Sequence, residues 1–167
     1  MRKKFRQLAI VAALLVLALA VALPAAANSS LNFRAHLAGR NEVPAVNTRA
    51  QGQAIVQISR DESSIDFKLI AANIEDVTQA HIHCGAAGVN GPVVAFLYGF
   101  GPVVSPDGVL SQGTLTAADV IPRPDSDACP GGLADFADLV ARIRAGDAYV
   151  NVHTLDNPGG EIRGQLR

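Results

Sequence analysis

Apolar and polar residues alternate along most of the chain after residue 30. Leu31, Phe33, Ala35 and Leu37 fall on one side of an extended segment, with Arg34 and His36 on the other. Ala54, Val56 and Ile58 repeat the pattern opposite Gln53, Gln57 and Ser59, and Ile65, Phe67, Leu69 and Ala71 repeat it opposite Asp66 and Lys68. A period of two is that of a strand half-buried against a core. The separators, residues 39–47 and 61–64, are short and polar. Three such strands joined by turns predict an antiparallel sheet with one wet face. Residues 77–83, 109–115, 149–154 and 161–166 extend the series, and residues 93–98 are apolar throughout, the pattern of a central strand covered on both sides. Thr116 caps a helical turn over 117–119. Only residues 133–145 switch to helical spacing: Leu133, Phe136, Leu139, Val140 and Ile143 share one stripe, and Gly146 ends it. The predicted fold class is all-β, an antiparallel β-sandwich with one inserted helix near 133–145.

The first residues follow another rule. Arg2, Lys3, Lys4 and Arg6 precede an almost wholly apolar run over residues 8–23, closed by Pro24 and Ala25, Ala26 and Ala27. That order predicts an export signal cleaved after Ala27. Retention as an anchor is the weaker alternative, since a membrane span needs roughly 20 apolar residues. The expected organisation is a signal peptide over 1–27 and one domain over 28–167, secreted to the periplasm or the cell exterior. All 15 acidic residues but only ten of the 14 basic ones lie after Ala27, so this domain carries a net charge of −5. It has no footprint for nucleic acid, and none for a membrane beyond the signal. Its two cysteines, Cys84 and Cys129, read as one disulfide in an oxidising compartment. The competing use, Cys84 as a thiolate ligand, would leave Cys129 a spare thiol.

Candidate chemistry centres on Ala80-His81-Ile82-His83-Cys84-Gly85. On a strand, His81 and His83 point the same way while Ile82 points into the core. Tyr149-Val150-Asn151-Val152-His153-Thr154 has the same logic, with Val150 and Val152 on one face and Asn151 and His153 on the other. Imidazole donors suit copper, zinc, iron or nickel. The competing reading makes these histidines hydrogen-bonded structural groups. His36 lies on the polar face with Arg34 and reads as a solvated surface histidine. Glu42 and Glu161 read as acceptors behind the histidines or as charge partners of Arg163, and Asn151 shares the face of His153. An electron-transfer copper site is disfavoured because Met1 is the only methionine and Cys84 is assigned to a disulfide. There is no Gly-x-Ser-x-Gly, and the adjacent Glu75 and Asp76 would point to opposite faces, so hydrolase parts are absent. The glycines of residues 85–91 lack the Lys-Ser/Thr and the following helix that a phosphate loop needs.

Four ordered stretches carry a resemblance: Asn41-Glu42-Val43-Pro44, Val77-Thr78-Gln79-Ala80-His81-Ile82-His83, Gly88-Val89-Asn90-Gly91-Pro92-Val93-Val94, and Tyr149-Val150-Asn151-Val152-His153-Thr154 through Gly160-Glu161-Ile162-Arg163-Gly164-Gln165. Together they resemble the CHRD (chordin-type) domain family. The resemblance implies an extracytoplasmic β-sandwich, found alone in many bacterial secreted proteins and repeated in chordin, which binds bone morphogenetic proteins. A local likeness also links Ala80-His81-Ile82-His83 and Val150-Asn151-Val152-His153 to the copper-ligand strands of the Cu/Zn superoxide dismutases. Those too are Greek-key sandwiches of Ig-like type with one intrachain disulfide. It implies that His81, His83 and His153 match three copper ligands, although nothing here matches the bridging histidine or the zinc cluster. The leading expectation is a secreted module that binds one transition metal, copper before zinc, without catalysis. The second is an adhesion or extracellular protein-interaction module with structural histidines and a polar face carrying Arg34, Asp66 and Lys68. A dismutase-type oxidoreductase is the third.

Overall fold

The computed structural model describes residues 30–99 and 101–167, so the segment read as an export signal lies outside the described residues. Eight strands form among them: β1 (Asn32–Ala38), β2 (Gln51–Ile58), β3 (Ile65–Ala72), β4 (Val77–Cys84), β5 (Val93–Tyr98), β6 (Gly108–Leu115), β7 (Ala148–Thr154) and β8 (Ile162–Gln165). They make one antiparallel sheet in the order β5-β4-β7-β8-β1-β2-β3-β6. The sheet bends round on itself into a sandwich. Its two ends approach, and Val77, at the start of β4, trades both backbone hydrogen bonds with Val104, in the β5–β6 connection. The all-β class is as the alternation predicts.

The core is the inward row of each strand. Phe33, Ala35 and Leu37 of β1 meet Ala80 and Ile82 of β4, Val150 and Val152 of β7, and Ile162 of β8 in one buried cluster. Ile82, Val150 and Val152 are fully buried, each contributing about 1.5–3 kcal/mol of apolar burial. That burial fixes the pairing of β4 with β7. A slip of one residue would drive His81, His83 and Asn151 into the core and put Ile82 and Val150 outside.

The helix α1 (Phe136–Ala145) is three residues shorter than the apolar stripe predicts. Asp135 caps it, its side chain accepting from the Asp138 backbone at 3.1 Å, while Leu133 is held in a bridge with Arg123. A buried side chain in a bridge and one on a helix satisfy the same stripe. Gly146 ends α1 in the left-handed region at φ 75°, and Thr116 caps the short turn Ala117–Asp119. Strand β5 departs from expectation as well. It is an edge strand and not a central one, with Val94, Ala95 and Leu97 in the core, Tyr98 packed against it, and Val93 and Phe96 half-buried opposite the outward His83 and His81. The outer apolar residues serve a different neighbour, described below.

Cys84 and Cys129 are disulfide-bonded, with Cα atoms 5.5 Å apart. The bond ties the end of β4 to the loop that leads into α1.

Candidate metal centre

Strands β4 and β7 are paired with His81 opposite Asn151, His83 opposite Tyr149 and Gln79 opposite His153. His153 is therefore the diagonal neighbour of His81, within reach of a long or aromatic side chain. The rings meet. Nδ1 of His81 lies 3.0 Å from Nε2 of His153, and one nitrogen from each of His81, His83 and His153 falls within 4.8 Å of the others.

This face is not wet. His81 is 4% and His83 7% exposed, and His153 is half-buried. The connection after β4 folds back across them, and the turn after β7 closes the other side. Phe96 of β5 stands edge-on to His81 at 4.6 Å, and Tyr149 stacks on His83 at 4.7 Å with the rings 9° from parallel. Arg163 of β8 lies 3.3 Å over the Tyr149 ring. Its guanidinium donates to the carbonyls of Ala86 and Val89 and to the side chain of Asn90, which holds the folded-back connection in place. Buried aromatic rings and a satisfied guanidinium replace the water that strand alternation alone would predict.

The hydrogen bonds decide where the ring protons sit. Nδ1 of His83 lies 2.8 Å from the Gly91 carbonyl, and Nδ1 of His153 lies 2.9 Å from the Pro158 carbonyl. A carbonyl only accepts, so each Nδ1 carries the hydrogen. In the neutral ring Nε2 is then a bare lone pair. Burial pushes the His81 pKa down to about 3, helped by the charges of His153 and His83. It pushes His83 down to about 4 against the opposing Gly91 bond, and lowers His153 against the Pro158 bond. All three are neutral at physiological pH. Nε2 of His83 and Nε2 of His81 are buried without a hydrogen-bond partner. Nε2 of His153 faces Oδ1 of Asn151 at 3.0 Å, and Asn151 also interacts with His83. With its hydrogen on Nδ1, His81 donates to Nε2 of His153, which leaves the Nε2 lone pairs of His81 and His83 as the buried acceptors without a donor. Such an arrangement is costly unless a cation occupies it.

Of the other residues singled out from sequence, Glu161 turns elsewhere: its carboxylate accepts from the hydroxyls of Thr48 and Thr154 at 2.7 Å each. Glu42 is 7% exposed, and its Oε1 is buried without a partner. Burial raises its pKa to about 7, opposed by the charge of Arg163 and a backbone bond from Val43. Gly160 leaves it room: a Cβ there would come within 2.6 Å of Glu42 Oε1 and 2.8 Å of Asn151 Nδ2. His36 is exposed on β1 and stands apart from the cluster. The contacts that sequence reasoning passed over are Tyr149, Phe96 and the carbonyls of Gly91 and Pro158. Tyr149 was readable, since it continues the row of Asn151 and His153. The carbonyls leave no trace in a side-chain pattern.

The family model described as the CHRD domain matches residues 33–166. The chain belongs to the CHRD domain family. No curated protein and no solved structure matches it, so the local likeness to superoxide dismutase copper strands gains no support. In this CHRD domain the three histidines sit on neighbouring central strands, between the disulfide at one end of β4 and the Pro158 turn that follows β7. Among the described residues, no helix is long and apolar enough to cross a membrane.

Proposed function

We propose that this CHRD domain is an extracytoplasmic, non-enzymatic metal-binding module that takes one copper ion, and zinc as second choice. The ligands are Nε2 of His83, Nε2 of His153 and a ring nitrogen of His81. The observation that carries the reading is the pair of carbonyls, Gly91 and Pro158, that fix the hydrogen on Nδ1 of two rings and leave their lone pairs inside one buried space. Metal-binding histidines characteristically donate their other ring N–H to a carbonyl or carboxylate in this way. Metal–nitrogen bonds of roughly 2.0–2.1 Å put cis donors roughly 3 Å apart, close to the 3.0 Å between His81 and His153. An all-imidazole set ranks copper above zinc in intrinsic affinity. The disulfide removes Cys84 as a thiolate ligand and fits an oxidising compartment. Export with cleavage after Ala27 belongs to the same reading, and the mass of the exported chain tests it. Metal-depleted protein, loaded with one equivalent of copper and dialysed, is expected to retain about one ion per chain, and the His83→Ala variant to retain none. No retention, or equal retention by the variant, overturns the proposal.

A second reading makes the domain an adhesion or protein-interaction module whose histidines are structural. The direct His81–His153 contact supports it, as does the exposed row of Arg34, Asp66 and Lys68. It requires that a triple His→Ala variant lose stability, so lost metal binding with an unchanged melting temperature counts against it. Superoxide turnover by the copper-loaded domain above the background of free copper would instead revive the oxidoreductase reading.

A further inference from the structure

Although residues 28–167 carry a net charge of −5, the described residues form a strongly cationic cleft. It is about 560 Å³ in volume and is lined by Arg34, His36, Arg40, Arg163 and Arg167, with Glu42 its single acidic residue. That volume lies in the range of small-molecule sites. Two facts separate it from an ordinary solvated surface. Arg34 and Arg167 exchange both backbone hydrogen bonds, at 2.8 and 3.0 Å, and so stand directly opposite on adjacent strands. Like charges placed that way destabilise a sheet, and neither arginine is in an ion pair among the described residues. Among the described residues, the side chains of Arg34, Arg40 and Arg167 have no hydrogen bond or ion pair, the one ion pair being Arg144 with Glu62. Arg163, at the back of the cleft, is 2% exposed and spends its donors on Ala86, Val89 and Asn90. It adds positive potential without competing for a ligand. Glu42 does little to cancel this: it is buried, and its Oε1 is turned toward Gly160.

We infer that this cleft is a binding site for a small oxyanion carrying two or more negative charges, held by the guanidinium groups of Arg34, Arg40 and Arg167. Guanidinium forks match the paired oxygens of carboxylate and phosphate alike. The shared chemistry is a multivalent oxyanion, and its source is either a polycarboxylate or a phosphate. The site is independent of the metal, because none of its three donor arginines touches the histidine cluster.

The test is isothermal titration of the metal-free full chain with inorganic phosphate and, separately, with citrate, at physiological ionic strength. Saturable one-site binding of either is expected, and the probe that binds identifies the source. The Arg34→Ala/Arg167→Ala double variant is expected to weaken that binding by at least about tenfold, the effect of losing charged hydrogen bonds, while its melting temperature stays the same or rises as the cross-strand repulsion is relieved. No saturable binding of either probe overturns the inference. So does equal binding by the variant, or a loss of binding accompanied by a lowered melting temperature, which would make the arginine pair structural.

Discussion

Gly91 joins the fold to the histidine cluster, and replacing it by alanine tests both at once. Its carbonyl accepts from His83 Nδ1 at 2.8 Å, its N–H donates to the Tyr149 hydroxyl at 3.1 Å, and the next residue's carbonyl accepts from the Cys84 backbone at 3.0 Å. A Cβ on Gly91 would overlap the Cys84 carbonyl oxygen, which is backbone and cannot step aside. The connection must therefore move, and three hydrogen bonds worth about 1 kcal/mol each are lost or distorted. Gly91→Ala should cost about 3 kcal/mol, a fall in melting temperature on the order of 10 °C for a domain of this size. It should also weaken metal binding about 10- to 100-fold, since the carbonyl that orients His83 is displaced. Urea unfolding and metal titration of the purified variant give the two numbers. Gly88→Ala is the control. At φ 82° it meets no atom within 4 Å, so it should cost only about 1 kcal/mol of left-handed strain and leave metal affinity alone. A Gly91→Ala protein with the stability and affinity of the parent would refute the reasoning, as would a Gly88→Ala protein that loses metal equally.

Three other outcomes follow from the same structure. The Cys84→Ala/Cys129→Ala variant opens a loop spanning a sequence separation of 45, and loop-closure entropy puts the loss at about 4 kcal/mol. Urea denaturation checks it, and an unchanged midpoint would contradict the estimate. Glu42 has its pKa raised from 4.5 to about 7, so the folded state favours its protonated form. The stabilisation is complete below pH 4.5 and is lost as pH rises through 7. The Glu42→Gln variant should accordingly gain stability relative to the parent across that window, by about 1–2 kcal/mol once partial solvent contact is allowed for, and a flat difference would contradict it. His83 has the opposite sign. Its pKa is lowered from 6.5 to about 4, so its contribution is present above pH 6.5 and lost as pH falls through 4. The metal-free parent should lose stability over that range relative to His83→Gln, on the order of 3 kcal/mol, measured by the same denaturation at several pH values.

Much of this was legible in the chain. The inward rows of β1, β2 and β3 are written in strict alternation, and the same rule put His81 and His83 together and Asn151 with His153. Burial of Ile82, Val150 and Val152 makes that register obligatory, which is why the pattern was informative. What the pattern could not carry is whatever depends on connections folding back. Strand alternation says that the histidine face is polar, yet Arg163 pulls residues 86–90 over it and closes it to solvent. Residues 93–98 read as a central strand because Phe96 is apolar, when its outward ring covers His81 from an edge position. The same blindness applies to charge. A net count of −5 hides the fact that Arg34 and Arg167 are brought side by side by a backbone pairing 133 residues apart in sequence. The two carbonyls that set the histidine tautomers are invisible in any side-chain pattern, and the metal proposal rests on them.

X-ray absorption at the metal edge tests that proposal most directly. For the one-equivalent copper complex of the dialysed protein, three imidazole nitrogens at roughly 2.0–2.1 Å are expected, falling to two in the His83→Ala variant if any metal is held. A spectrum free of imidazole scattering, or one unchanged by the substitution, would contradict a centre built from His81, His83 and His153.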